Sequence, residues 1–273
     1  VWRRNLREPA KVIQSEDYRM GAPAQAISMK RIDLNCDLGE GGELDAELMP
    51  LITSANIACG AHAGDLETMI EAVKCAVAHN VMVGAHPGYL DLQNFGRTER
   101  EISASEAGRL VLMQIEQLYE VAGSQLRHVK LHGALYNQVS RDPYLADGVS
   151  SDLGRLWPDL IVFALAGSYF AQAARSRGLR VAEEVFADRT YQRDGSLTPR
   201  TQPGAMIYDP DAAVAQVIQV VKHGTLRATD GADIFLTVDT VCVHGDSVNA
   251  LAFAKRLRRD LATAGVAVQA FGT

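Results

Sequence analysis

The residues able to do chemistry in this chain fall in short polar clusters, each at the end of an apolar run. Asp33, Asn35 and Asp37 alternate through Asp33-Leu-Asn-Cys-Asp-Leu-Gly-Glu40, and side chains two apart share one face of a strand, so all three project the same way. Asn56-Ile-Ala-Cys-Gly-Ala-His-Ala-Gly-Asp65 joins Asn56 and His62 to small residues that let backbone approach a ligand. His86-Pro87 comes next, followed by Lys130 and His132, again two apart. Glu183, Glu184, Asp188 and Arg189 form another group, and Cys242-Val-His244-Gly-Asp246 the last. Asp37 and Glu184 are suited to proton transfer or Mg²⁺ binding, and His62 and His132 to general acid and base work. Lys130, Arg97, Arg189 and Arg200 are the cations that an anionic ligand or developing oxyanion would need.

Each of these residues also has a plainer reading. A single strand-end histidine is usually a satisfied structural residue, and Cys59, set between Ala58 and Gly60, reads as a small packing residue before it reads as a nucleophile. Asp65 reads as a helix cap. Four of the seven histidines, His62, His86, His132 and His244, stand at the ends of different apolar runs, and the ends of neighbouring strands converge in space. His79 and His223 fall in last helical turns, where partial positive charge is favourable, and His128 begins a strand.

The elements that must position these groups are legible from Arg31 onward, where strand-length apolar runs alternate with segments of helical period, the pattern of βα units. Strands are predicted at 31–36, 54–59, 81–85, 127–131, 160–164, 180–185, 234–242 and 266–271. Ser103 to Glu106 reads as a capping box, and Asp142-Pro143 and Asp209-Pro210 place a cap before an N1 proline. Gly123, Gly178, Gly224 and Gly265 mark helix ends. The count predicts a single TIM-like (β/α) barrel over residues 29–273, with a seven-stranded or distorted version equally compatible and an open doubly wound sheet as the competing fold. In such a barrel the active site lies at the C-terminal ends of the strands. Two long polar connections, 86–102 and 187–209, fall on that face and read as a lid and a clamp carrying Arg97 and Arg200.

Net charge is −6, which leaves no electrostatic footprint for nucleic acid or an anionic membrane. The longest apolar stretches are strand-sized, so no bilayer span is expected. Four scattered cysteines in 273 residues fit reduced thiols and a cytoplasmic protein. Residues 1–28 lack a periodic apolar face and read as a flexible leader.

The motif segments, together with Gly84-Ala-His-Pro87, Phe95-Gly-Arg97, Val129-Lys-Leu-His-Gly-Ala-Leu-Tyr136 and Glu184-Val-Phe-Ala-Asp-Arg189, resemble the LamB/YcsF family, in the same order and over nearly all of the chain after the leader. The sequence differs from common family choices at Ala61, Leu66, Thr98 and Leu131, beside the motif residues rather than on them. The resemblance implies ATP-dependent hydrolysis of 5-oxoproline to glutamate, with Mg²⁺, as the A subunit of a 5-oxoprolinase working with B and C subunits. On that reading Asp37, His62, Lys130, His132 and Glu184 are catalytic, and Asp33, Asn35, Asn56, His86, Arg97, Arg200, His244 and Asp246 bind substrate. No glycine-lysine phosphate loop is present, so ATP rests on the resemblance alone, with one of the partner subunits an alternative home for it. No HxH or HExxH pair assigns a metal. Two other readings stay open: a metal-dependent barrel deacetylase or amide hydrolase, and a non-catalytic substrate-binding subunit.

Overall fold

The computed structural model describes residues 29–244 and 250–273; the leader and Asp246 lie outside them. Seven parallel strands close into a barrel: β1 (Lys30–Leu38), β2 (Ser54–Ala58), β3 (Met82–His86), β4 (Leu126–Lys130), β5 (Ile161–Leu165), β6 (Arg180–Phe186) and, after an outlying antiparallel pair β7 (Thr225–Arg227) and β8 (Asp233–Phe235), β9 (Thr240–Val243). Pairing of β9 with both β6 and β1 completes the ring. The single apolar run expected at 234–242 is therefore two strands. Asp239 interrupts it by accepting the Glu183 amide on its side chain at 3.0 Å, and Phe235 turns out to solvent, 79% exposed. The last expected strand shortens to β10 (Val266–Val268), which pairs only with the first residues of β1, beneath the ring.

Helices α1 (Asp45–Leu48), α2 (Leu66–Ala78), α3 (Ala104–Ala122), α4 (Gly133–Arg141), α5 (Pro143–Leu156), α6 (Tyr169–Ser176), α7 (Pro210–His223) and α8 (Ala250–Thr263) surround the barrel. Their ends are where the sequence puts them. Ser103 Oγ accepts the Glu106 amide and Glu106 returns the bond to the Ser103 amide, so two orphan donors of α3 are satisfied. Asp65, Asp142 and Asp209 cap α2, α5 and α7. Gly224 ends α7 in the left-handed region at φ 68°. α3 buries Val111, Ile115, Leu118 and Ala122 on one stripe, the spacing that turns an amphipathic helix onto a sheet.

Strand alternation sorts the interior. Ile32, Leu34, Cys36 and Leu38 of β1 face the helices within the main apolar core, while Asp33, Asn35 and Asp37 face inward. Ile161, Phe163 and Ala182, packed with Met82 and Phe271, form a separate small apolar cluster. Above it the barrel interior is polar, beginning with His128 stacked on Phe163 at 4.2 Å. That ring fits because β3 supplies Gly84 beside it; a Cβ there would lie 2.1 Å from His128 Nε2.

Candidate active site

The strand registers bring the inward residues together in two tiers. In the lower tier, Asp33 accepts from Thr53 Oγ1 at 2.7 Å, from Ser54 Oγ at 2.6 Å and from the Thr240 hydroxyl. Asn56 donates to Asn35 and Asp37, both at 2.8 Å, and accepts from His128 Nε2 at 2.7 Å. Asn35 donates to Glu184 Oε1 and to Thr240. Burial, working against the three hydroxyl bonds, pushes Asp33 up to about 6, and burial followed by the nearby Lys130 charge lowers His128 to about 3. Asp33, Asn35 and Asn56, expected to bind substrate, thus sit beneath the cavity and do not line it. Their hydrogen bonds go to neighbouring side chains of the barrel interior: Asp33 to three hydroxyls, Asn35 and Asn56 to each other, Glu184, Asp37, Lys130, Thr240 and His128. His128, expected at the start of a strand, is one of the buried members of this tier.

The upper tier is charged. Lys130 at the end of β4 exposes 1% of its surface and is caged by Asp37 Oδ1 at 2.9 Å, Glu184 Oε1 at 3.0 Å, Asn35 Oδ1 at 3.1 Å and Cys242 Sγ at 3.1 Å. Burial alone would lower the ammonium; Asp37, Cys242 and Glu184 reverse that and hold it well above its usual range. Glu184 is also taken on its second oxygen by Tyr136 Oη at 2.7 Å. With both oxygens occupied and no exposed surface, it has no face for Mg²⁺.

Beside the lysine stand three rings. His62, carried by the turn after β2, stacks on His132 at 3.7 Å with the planes 2° apart, and His86 meets both edge-on. Gly96, at φ 63°, lets the 87–103 connection close over them; a Cβ there would lie 2.8 Å from His62 Cβ. Glu40, just past β1, reaches His62 Nε2 at 3.0 Å and His132 Nδ1 at 3.5 Å. Burial lowers His62 to about 3, and burial with the His86 charge holds His132 well below its ordinary value. His86 goes the other way: burial would lower it, but Asp37, 3.3 Å from its Nε2, raises it. Asp37 is held well below the carboxylate range because His86 and Lys130 outweigh its burial. Burial and the Asp37 charge push Glu40 up to about 7.

These values redistribute the expected roles. His62 and His132 are neutral near pH 7 and are poor proton donors. His86 is the ring whose charged form Asp37 favours, and Glu40 is the carboxyl poised near neutrality. Glu40 has no assigned role in the sequence reading because it lies beyond the strand; the turn signals Gly39 and Gly41, both at positive φ, are what fold it back. Cys59 is removed as a nucleophile: its thiol faces the Ile57 carbonyl, and burial pushes it up to about 12.

A cavity of about 940 Å³ opens above this tier, lined by Asp37, Glu40, His86, Lys130 and His132 on its floor and by Arg97, Arg200 and His244 nearer the mouth. Arg97 lies over the Phe95 ring at 4.9 Å. Arg200 donates to His244 Nε2 at 3.1 Å, and His244 Nδ1 faces Asp188 at 2.8 Å. Arg189 also lines the cavity, but its guanidinium is buried against the carbonyls of Thr198 and Ala205, where it ties the 187–209 connection together. That connection is also less structureless than expected, with bridges from Arg189 to Met206 and Tyr191 to Leu197. Two donor groups have metal-binding proximity, Glu40 with His62, His86 and His132, and Asp37 with Cys242 and His244, each within 4.8 Å. In the second, the Lys130 ammonium already sits against Asp37 and Cys242.

Residues 32–273 match the LamB/YcsF family model. The chain belongs to the LamB/YcsF family. It is 49% identical over 253 residues to a Bacillus licheniformis protein named as the A subunit of 5-oxoprolinase, covering 90% of this chain and all of that one. A Bacillus subtilis protein of the same name is 48% identical over 250 residues, covering 89% of this chain and 97% of that one. Among solved structures, a lactam utilization protein from Thermus thermophilus superposes with a TM-score of 0.81 at 40% identity, covering 88% of this chain and all of that chain. No helix among the described residues is long and apolar enough to cross a membrane.

Proposed function

We propose that this chain is the ring-opening A subunit of a 5-oxoprolinase, hydrolysing 5-oxoproline to glutamate with cleavage of ATP, together with B and C subunits. The observation that carries the reading is the convergence of the family's motif segments on one cavity floor, in a chain that matches relatives of that name over nearly their whole length. A lactam carbonyl is a poor electrophile. Phosphorylation of its oxygen, with ADP leaving, makes the ring carbon open to water; collapse of the adduct breaks the C–N bond as a proton reaches the nitrogen, and a second water releases inorganic phosphate from the resulting acyl phosphate to give glutamate. Glu40, pushed up to about 7, is suited to taking the proton of the attacking water, and His86, whose charged form Asp37 favours, to stabilising the developing negative charge. Lys130 sets the position of Asp37. Arg97 and Arg200, on opposite connections above the floor, suit the substrate carboxylate and phosphoryl oxygens.

The described residues form no glycine-rich phosphate cradle, and Glu184 is closed to Mg²⁺, so Mg²⁺ and the bulk of ATP belong on this reading to the assembly rather than to this cavity. The cavity lies at the upper end of the roughly 300–1,000 Å³ usual for small-ligand sites, which leaves room for more than a single lactam. The deciding experiment measures glutamate release from 5-oxoproline by the purified chain, with and without B and C subunits, ATP and EDTA. Turnover requiring both partners and nucleotide is expected. Full-rate hydrolysis by the isolated chain without ATP would overturn the reading in favour of a simple amide hydrolase.

A further inference from the structure

The rings of His86 and His132 meet nitrogen to nitrogen, His132 Nδ1 to His86 Nε2 at 2.9 Å. Their far nitrogens are both committed as donors, His86 Nδ1 to the Lys130 carbonyl at 2.8 Å and His132 Nε2 to the Phe95 carbonyl at 2.9 Å, because a carbonyl oxygen only accepts. In neutral rings the two facing nitrogens are therefore both lone pairs, and their closeness demands something positive beside them. Glu40 Oε1 completes the group, 3.0 Å from His62 Nε2, 3.5 Å from His132 Nδ1 and 3.9 Å from His86 Nε2.

We propose that Glu40 Oε1, His62 Nε2, His86 Nε2 and His132 Nδ1 hold one divalent first-row transition-metal ion of zinc's kind on the floor of the cavity. Three imidazole nitrogens and one carboxylate oxygen are the donor set such ions take, whereas Mg²⁺ and Ca²⁺ want oxygen. Bonds of about 2.0–2.2 Å in a tetrahedral shell give donor separations of roughly 3.3–3.6 Å; the three separations to Glu40 and the one between His86 and His132 run from 2.9 to 3.9 Å, and all donors lie within 4.8 Å of one another. Two of the three rings donate their other N–H to a backbone carbonyl, the support that fixes a metal-binding tautomer. Glu40, His86 and His132 also line the cavity, so a bound ion would face a ligand and would take over the water-activating and charge-stabilising roles that Glu40 and His86 fill without it. The site comes from four separate segments, which is why no local pair announces it.

The alternative is a proton shared between His86 and His132. The test uses the full chain stripped with chelator, without substrate, nucleotide or partner subunits, so its outcome is separate from the 5-oxoproline reading. Titration with Zn²⁺ should show one equivalent bound and a raised melting temperature. Co²⁺ should give the visible bands of a four-coordinate site without the near-ultraviolet charge transfer of a thiolate. Glu40→Gln and His132→Gln should each weaken binding by at least the roughly 10–100-fold seen when a supporting partner is lost. Failure of the stripped wild-type chain to bind an equivalent of either ion would overturn the proposal and leave the shared proton. Binding undiminished in both variants, or a thiolate signature from Cys242, would overturn it equally, and the wild-type spectrum decides even if a variant fails to fold.

Discussion

The barrel interior holds two polar tiers, one resting on the other and differently bonded. In the lower, Asp33, Asn35, Asn56, Ser54, Thr53 and Thr240 meet mostly through hydroxyl and amide groups, with donors matched to acceptors. In the upper, an ammonium is held between two carboxylates, and three imidazoles crowd a third carboxylate. The lower arrangement pairs nearly all of its groups, His128 Nδ1 being the exception among its described members, close to the usual condition of buried polar groups. The upper one crowds two ring nitrogens together at 2.9 Å and pushes neighbouring carboxyls in opposite directions. Burial of polar residues does not by itself mark a site; unresolved conflict among them does.

Lys130→Ala gives the largest expected break. Turnover of the assembled enzyme should fall by about 10²-fold or more. Removing the ammonium also leaves Asp37 and Glu184 buried without their shared counter-charge, a loss of roughly 3–5 kcal/mol that chemical denaturation would read. The caged position of the lysine puts this cost on the fold as well as on turnover. Wild-type specific activity in this variant would dissolve the distinction between the tiers.

Glu40→Gln should cost a similar factor of about 10² in turnover while leaving the melting temperature level or higher, because it removes a buried charge from a strained group. It should also abolish an activity limb near pH 7, and a pH profile with that limb intact would deny Glu40 the role of base. Arg200→Ala comes next. Loss of one charge-assisted bond to a ligand costs about 1.5–3 kcal/mol, so KM should rise at least tenfold with kcat nearly kept; unchanged kinetics would take the mouth out of ligand binding.

Asp33→Asn tests the lower tier with the smallest effect. Asp33 titrates at about 6 in the fold against an ordinary 3.8, so between these values the native state binds more proton than the unfolded one. Stability contributed by this group therefore falls as pH rises through that window, by up to about 1.4 kcal/mol per pH unit. The variant should lose that slope and gain stability relative to the parent above pH 6, with KM unchanged. A raised KM would return Asp33 to the substrate-binding set.

Much of this is legible in the chain. The alternation of Asp33, Asn35 and Asp37, and of Lys130 and His132, gives their shared inward face directly, since strand period depends only on local geometry. Capping residues and terminal glycines likewise act within a turn of their helices. What stays hidden depends on contacts distant in sequence. The break within 234–242 is set by Asp239 reaching the Glu183 amide, and the division between tiers follows from strand register, which pairs Asp37 with Asn56 and Asn35 with Cys242. Titratable residues on one strand face look alike until neighbours are assigned, so Asp33 and Asp37, four residues apart, cannot be told apart from sequence as a buried scaffold group and a cavity wall.

The two connections over the cavity are fastened unequally. The 87–103 segment is bonded into the body of the protein at Pro87, Gly88 and Gly96, through the His132 amide, Gln114 and the Ala134 amide. The 187–209 segment is anchored at its base, where the buried Tyr191 hydroxyl accepts the Phe186 amide and Gln216 binds the Arg189 carbonyl, while its outer part folds on itself and returns to the cavity through Arg200 and His244. Opening of the cavity is therefore expected to fall to the second rim, where the Arg200–His244 contact is the hold on the cavity side, and Arg200→Ala should quicken product release as read by single-turnover kinetics.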